Sequence, residues 1–381
     1  MKSKAILAAA ALVLLVSCKP KADDGQEALL QYYTTDRTYD IASPTPAAKD
    51  AEIQNVILMI GDGMGLEQVS CAWVLNKGKL NLDNMTSVGL SRTWSASDLI
   101  TDSGAGGTAL AAGQKTANSH IGSDPDGKPL DSMLDKARRL GKKTGVVTVC
   151  HLADATPADF CCHDEDRYHF DPIIAGYAEC GVDYIAGGGR DYFGPKRKDG
   201  RDIVAEMKAK GYNYATTEEE LMAAPLPLLG LLSDDNLPVA AERGELFRNM
   251  TAHALDLLCQ AAGEKGFALM IEGSCIDDWL HGNDIGKAME ELLDFDRTIG
   301  DVLAWAAADG HTLVVVTADH ATGALTLQDG NLEEGRIGVA FGSESHNGIA
   351  VPIYAWGPGS EVFTGIKENA EWGQLISSFI K

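Results

Sequence analysis

The run Ile100-Thr101-Asp102-Ser103-Gly104-Ala105-Gly106-Gly107-Thr108 puts a hydroxyl at what reads as the start of a helix, beside an acid and a run of tiny side chains. Unpaired backbone N–H groups gather at a helix start and favour an anion there, so Ser103 could act as a nucleophile. The plainer reading makes Ser103 an N-cap on a helix packed tightly against a sheet. Gly104, Gly106 and Gly107 would let an anionic group approach the backbone by keeping side chains away from it. Further along, Glu272-Gly273-Ser274-Cys275-Ile276-Asp277-Asp278-Trp279-Leu280-His281 holds three carboxylates and an imidazole within ten residues. Asp277 and His281, four apart, face the same way on a helical turn and could hold one metal ion. A solvated acidic loop is the alternative, against which Ile276, Trp279 and Leu280 should draw the segment inward.

Four more segments carry groups of the same kind. Asp62 lies in Gly61-Asp62-Gly63-Met64-Gly65, where Leu66 breaks the dinucleotide-binding fingerprint and a tight turn capped by Asp62 is the other reading. Asp319-His320 closes an apolar run, and His346 sits in Glu344-Ser345-His346-Asn347-Gly348. Asp154-Ala155-Thr156-Pro157 is followed, eleven residues past Thr156, by Arg167. Taken singly these are a cap, a loop histidine and an exposed arginine. Together they are the donors that bind hard or borderline cations and an oxyanion.

The elements that must position them follow from the apolar pattern. Runs of strand length occur at Asn55–Ile60, Thr144–Val149, Tyr184–Ala186, Phe267–Ile271, Thr312–Thr317 and Val351–Trp356. Helix-period segments lie between them, including Leu130–Leu140, Glu242–Ala262 and Ile285–Ala308. This alternation predicts an α/β fold, a doubly wound and mostly parallel central sheet with helices on both faces. Ligands bind such sheets beyond the carboxyl ends of the strands, where the candidate residues fall.

Of the 381 residues, 45% are apolar, enough for a sizeable core, and the formal charge is −23. Such an acidic chain repels nucleic acid, so none is expected as a partner, and an anionic substrate would need a local positive site. Lys2 and Lys4 precede an apolar stretch, Ala5–Val16, that is too short for a permanent span and reads as a signal peptide over residues 1–17. Leu15-Val16-Ser17-Cys18 is similar to a lipoprotein processing site. Lipid on Cys18 would anchor an exported bacterial membrane lipoprotein facing the periplasm or the cell surface. Residues 18–50, rich in Ala, Thr, Pro, Asp and Lys, read as the lipidated N-terminus and its tether, and 51–381 as the catalytic domain. No spacing among the remaining seven cysteines points to a zinc ribbon, and no disulfide is expected.

In this order, and over nearly all of residues 51–360, the segments resemble the alkaline phosphatase family, most specifically in the Asp-Ser-Gly-Ala-Gly-Gly-Thr run. The resemblance implies a metal-dependent phosphate monoester hydrolase in which Ser103 becomes phosphorylated. It places Asp277, His281 and His346 on a first zinc, and Asp62, Asp319, His320 and Ser103 on a second. Asp62, Thr156 and Glu272 fall on magnesium, with Asp154 outside that site. Arg167 would clamp the phosphate and Asp102 would orient it. Asp278 stands where relatives vary among Lys, His and Trp in a contact to phosphate-bound water. A homodimer is also implied, but the 25 residues between His320 and His346 leave the family's crown insertion short or absent. Small phosphate monoesters are the implied substrates, with inorganic phosphate released. Other readings are a phosphodiesterase or phosphonate hydrolase on the same scaffold, a metal-free serine hydrolase, and a non-catalytic metal-binding surface lipoprotein. The serine hydrolase lacks its Gly-x-Ser-x-Gly elbow here.

Overall fold

Val56-Ile57-Leu58-Met59-Ile60 offers no polar side chain to either face, a pattern suited to a strand covered on both sides. In the computed structural model, which describes residues 30–381, this run lies in a fully buried strand, β1 (Asn55–Gly61), inside a ten-stranded sheet. The other strands, in chain order, are β2 (Ser87–Arg92), β3 (Lys143–His151), β4 (Tyr184–Gly188), β5 (Asn213–Ala215), β6 (Leu228–Leu231), β7 (Phe267–Gly273), β8 (Thr312–Thr317), β9 (Val351–Trp356) and β10 (Gly365–Glu368). Their spatial order is β10-β2-β9-β8-β1-β7-β3-β4-β6-β5. β9 runs antiparallel to both neighbours, and every other pairing is parallel.

Alternation along β1 feeds two cores, Ile57 and Met59 pointing to one and Val56, Leu58 and Ile60 to the other. The helices that cover the sheet or carry site residues include α1 (Leu66–Leu75), α2 (Ser103–Ala112), α3 (Met133–Arg139), α4 (Ala155–Asp159), α5 (Phe170–Cys180), α6 (Arg190–Phe193), α7 (Leu246–Ala262), α8 (Cys275–His281), α9 (Ile285–Asp309) and α10 (Asn369–Ser378). α1, α7 and α9 contribute to the first core, and α2, α3, α5 and α10 to the second. The sheet is therefore doubly wound, as expected. Two helix boundaries move inward for local reasons. Ser132 and Asp135 form a reciprocal capping box, so α3 begins at Met133. Gly244, at φ +59°, breaks the expected helix from Glu242.

One boundary needs correction. The tether expected over residues 18–50 is already structured from Gln31, where Gln31–Thr34 pairs antiparallel with Arg336–Phe341. Tyr33 and Thr35 donate to Glu290 at 2.6 and 2.7 Å, and Tyr39 donates to Asp296 at 2.6 Å. Polar composition averaged over the segment hides a four-residue strand and the Tyr33, Thr35 and Tyr39 hydroxyls that dock this stretch on α9. The same strand covers a hairpin, Leu325–Asn331 with Arg336–Phe341, which takes up much of the chain between His320 and His346. The signal peptide, Cys18 and the first part of the tether lie outside the described residues. Among those described, no helix is long and apolar enough to cross a membrane, and all seven cysteines are free.

Candidate active site

Polar residues just past the carboxyl ends of β1, β3, β7 and β8 converge on the N-terminus of α2. The cap of α2 is Asp102, not Ser103. Asp102 Oδ1 accepts the Ala105 N–H at 3.0 Å, while its Oδ2 accepts from Ser119 N–H at 2.8 Å and from Arg167 Nη1 at 3.5 Å. With capping done by its neighbour, the Ser103 hydroxyl is free to point into the site, 3.2 Å from His320 Nε2. The glycines of α2 have a different role from the one expected. A Cβ on Gly104 would meet the His120 carbonyl at 2.8 Å, and one on Gly106 the Asp319 carbonyl at 3.0 Å. One on Gly107 would overlap Asp159 Oδ2. They let α2 press against protein backbone and side chains, which fixes Ser103 beside Asp319 and His320; they do not clear room for a ligand.

The metal-ligand candidates separate by depth. Asp277 and His281 lie on α8, and His346 in a two-residue strand, His346–Asn347, that pairs antiparallel with Ala321–Thr322. His281 Nε2 is 3.0 Å from Asp277 Oδ2 and 3.2 Å from His346 Nε2. His281 is exposed and His346 half-buried, so this group opens to solvent. Asp62, Asp319 and His320 form the deeper group, all three buried, with His320 Nε2 3.4 Å from Asp62 Oδ1 and 3.2 Å from Asp319 Oδ2. His320 stacks on His346 with ring centroids 3.6 Å apart, so it borders both groups. Thr156, in the first turn of α4, and Glu272, near the end of β7, bring the third set of oxygens.

Whether cations fit can be judged from hydrogen bonding. Buried polar atoms are nearly always paired, yet Asp62 Oδ1, Asp319 Oδ2, Thr156 Oγ1 and Glu272 Oε1 have no hydrogen-bond partner. Four buried carboxylates, Asp62, Glu272, Asp277 and Asp319, crowd one pocket. Burial, reinforced by Asp319, pushes the Asp62 carboxyl well above the ordinary range. Burial also pushes Asp319 up to about 6 and Glu272 up to about 8, against a bond from Thr148 that draws Glu272 down. Asp277 goes the other way: burial is outweighed by hydrogen bonds from His281 and His346, and it stays well below the usual range. Divalent cations would compensate these charges without protonation, and the oxygen and imidazole donors suit zinc and magnesium.

These shifts predict how the metal-stripped protein responds to pH. A carboxyl whose folded pKa is raised binds more protons folded than unfolded, so its stability contribution is full below the unfolded pKa and is lost as pH rises through the folded one. Asp319 and Glu272 set that window from about pH 4 to about pH 8. Urea unfolding of the stripped protein should show stability falling across this range, and cation loading should flatten the profile.

Arg167 is held on two sides, its Nη2 donating to Asp154 Oδ1 at 3.0 Å and its Nη1 to Asp102. Burial disfavours its charge, but Asp154 and Asp102 more than restore it. Asp278 lies at the rim and accepts from Asn236 Nδ2 at 3.1 Å; burial, then Asp154 and Asp277, push it up to about 6. Three residues gave no sequence signal. Thr322 donates to Asp277 Oδ1 and lies 3.2 Å from His320 Nδ1, fixing two candidate ligand side chains at once. Thr148 holds Glu272 Oε2 at 2.6 Å, and Asn236 links Asp278 to the His151 backbone N–H. All three are common polar residues whose role depends on packing distant in sequence.

Comparison with known proteins agrees with this geometry. The alkaline phosphatase family model matches residues 53–337. Alkaline phosphatase 4 of Bacillus subtilis is 33% identical over 417 residues, covering 87% of this chain and 89% of that protein. Streptomycin-6-phosphate phosphatase of Streptomyces griseus is 30% identical, covering 86% and 90%. The solved alkaline phosphatase of the Antarctic bacterium TAB5 superposes with a TM-score of 0.81 at 35% identity, over 87% of this chain and 99% of that one. A variant of that enzyme has been solved with magnesium bound. A family match over most of the chain, relatives similar along nearly their full length and a serine set among groups that could hold cations lead to one conclusion: this chain belongs to the alkaline phosphatase family.

Proposed function

We propose that the protein hydrolyses phosphate monoesters through a phosphoserine on Ser103, with zinc at Asp277, His281 and His346, zinc at Asp62, Asp319, His320 and Ser103, and magnesium at Asp62, Thr156 and Glu272. The observation that carries this reading is the set of four orphaned buried oxygens in the site that holds the Ser103 hydroxyl beside His320. The magnesium of the TAB5 variant supports the third group. When bound, such ions neutralise the phosphate dianion, favour ionisation of the serine hydroxyl and stabilise the leaving oxygen.

The chain's own groups supply the rest. Ser103 Oγ forms the bond to phosphorus as the bond to the leaving oxygen breaks, giving phosphoserine and an alcohol. Water then attacks phosphorus, the Ser103 oxygen leaves, and inorganic phosphate is released. The N-terminal N–H groups of α2 face the phosphoryl group, and Arg167 holds two of its non-bridging oxygens in a planar fork. Asp102 and Asp154 aim that fork, and Asp154 also caps α4, the helix that carries Thr156. The solvent-open group of Asp277, His281 and His346 lies on the side from which the alcohol departs.

An aryl monoester should be hydrolysed far faster than the matching diester, and exhaustive chelation should abolish turnover. A diester preference, or activity that survives chelation, contradicts the reading. Arg167→Lys should raise KM for the monoester about tenfold, because a point charge replaces a two-pronged donor and cannot satisfy Asp102 and Asp154 together; inorganic phosphate inhibition measured alongside should weaken equally. Lipid attachment at Cys18 is part of the proposal, supported by the Leu15-Val16-Ser17-Cys18 sequence, and places the enzyme on a bacterial membrane.

A further inference from the structure

Beside the phosphate clamp lies a cleft of about 540 Å³. Its walls come from the end of the loop after α4, the first turn of α5, and α6 with the loop that follows it, so it sits beyond the carboxyl ends of β3 and β4, on the same edge of the sheet as Ser103. Tyr168, next in sequence to Arg167, is 70% exposed, an unusual position for a large aromatic ring, and the Arg167 guanidinium carbon lies 5.9 Å from its centroid. Phe170 and Tyr192 meet edge to face at 5.4 Å, and both pack on the ring of His151, the last residue of β3, at 5.8 and 4.8 Å.

The cationic wall is built as deliberately. Lys196-Arg197-Lys198 is the only run of three basic residues in a chain of net charge −23. Arg197, its side chain 1% exposed, pairs with Asp199 and donates to the Tyr192 and Asp171 carbonyls at 3.1 and 2.6 Å. That buried anchor pins the run and leaves Lys196 and Lys198 exposed on the cleft. Asp171 and Asp191 line the same cleft and offset the lysines, so it does not suit a second phosphate. Aromatic faces, ammonium donors and carboxylate acceptors together suit a neutral planar ring with both acceptors and donors on its edge.

We infer that this cleft is a leaving-group subsite for a nucleobase, through which the enzyme selects nucleoside monophosphates among the monoesters whose phosphate sits at Ser103 and Arg167. The inference rests on the phosphomonoesterase reading and goes beyond it in naming the alcohol.

Adenosine 5′-monophosphate and ribose 5-phosphate share the phosphate and the sugar and differ in the base, so the ratio of their kcat/KM values isolates the cleft from the chemistry. The metal-loaded full chain should favour the nucleotide about tenfold, chiefly through KM, the scale of one base stacked on an aromatic ring. Tyr168→Ala, at an exposed position that does not hold the core, should bring the ratio close to one; any shift of Arg167 affects both substrates and cancels. Lys196→Ala should lower the ratio to a smaller extent. Equal kcat/KM values, or a ratio that Tyr168→Ala leaves unchanged, overturn the subsite while leaving the phosphomonoesterase intact. Failure to hydrolyse either substrate overturns the phosphomonoesterase reading, and the subsite falls with it.

Discussion

Ser103→Ala is expected to lower kcat on an aryl phosphate by about 10³-fold or more while leaving the fold unchanged, with Asp62, Asp319 and His320 still able to hold the second zinc. The separation of these effects follows from the local structure of α2. Had Ser103 been the N-cap, its loss would cost about 1 kcal/mol of stability and cloud the kinetic result. Asp102 performs that role, accepting the Ala105 N–H, and Ser103 makes its side-chain contact only with His320. Removing the hydroxyl therefore deletes the nucleophile and one of the four proposed zinc contacts, and leaves the helix cap intact. Thermal unfolding and metal analysis of the variant, beside steady-state rates, would check both halves. A variant that keeps a tenth of wild-type turnover would place the nucleophile elsewhere.

Metal removal should have an effect of similar size, and Asp319→Asn should reproduce it in a form that excess zinc does not reverse. Asp319 is fully buried; its Oδ1 accepts the N–H groups of His320 and Gly63, and its Oδ2 has no hydrogen-bond partner. Asparagine can keep the first set of bonds and removes the charge that the second oxygen would present to a cation. Turnover should fall by at least about 10²-fold. In the stripped protein the sign reverses: with no cation to face it, a buried carboxylate is costly, and the neutral isostere should be more stable by about 1 kcal/mol at pH 8. Equal stability of the two stripped proteins would show that Asp319 is compensated by some other group.

The sequence carried much of this because strand ends are where α/β sheets place their ligand groups. β8 and β9 occupy the expected Thr312–Thr317 and Val351–Trp356, since continuous runs rich in valine, isoleucine and aromatic residues admit little else between their flanking loops. With the strands located, Asp62, Glu272, Asp319 and His320 fell at the right edge without a structure. What stayed hidden depended on partners distant in the chain. Gln31–Thr34 becomes a strand only because Arg336–Phe341 offers an edge. The α2 glycines look like clearance for a ligand until His120, Asp319 and Asp159 are seen against them. Thr322 looks like an ordinary strand residue, although its hydroxyl bonds Asp277 and faces His320 Nδ1.

The central claim is covalent: phosphate passes through Ser103 on its way to water. Each in-line displacement inverts phosphorus, so two displacements restore the starting configuration and one does not. Transfer from a phosphate monoester made chiral with three oxygen isotopes to an acceptor alcohol should therefore proceed with retention at phosphorus. Net inversion would mean that phosphorus is attacked only once, with Ser103 merely positioning the cations, and would contradict the account.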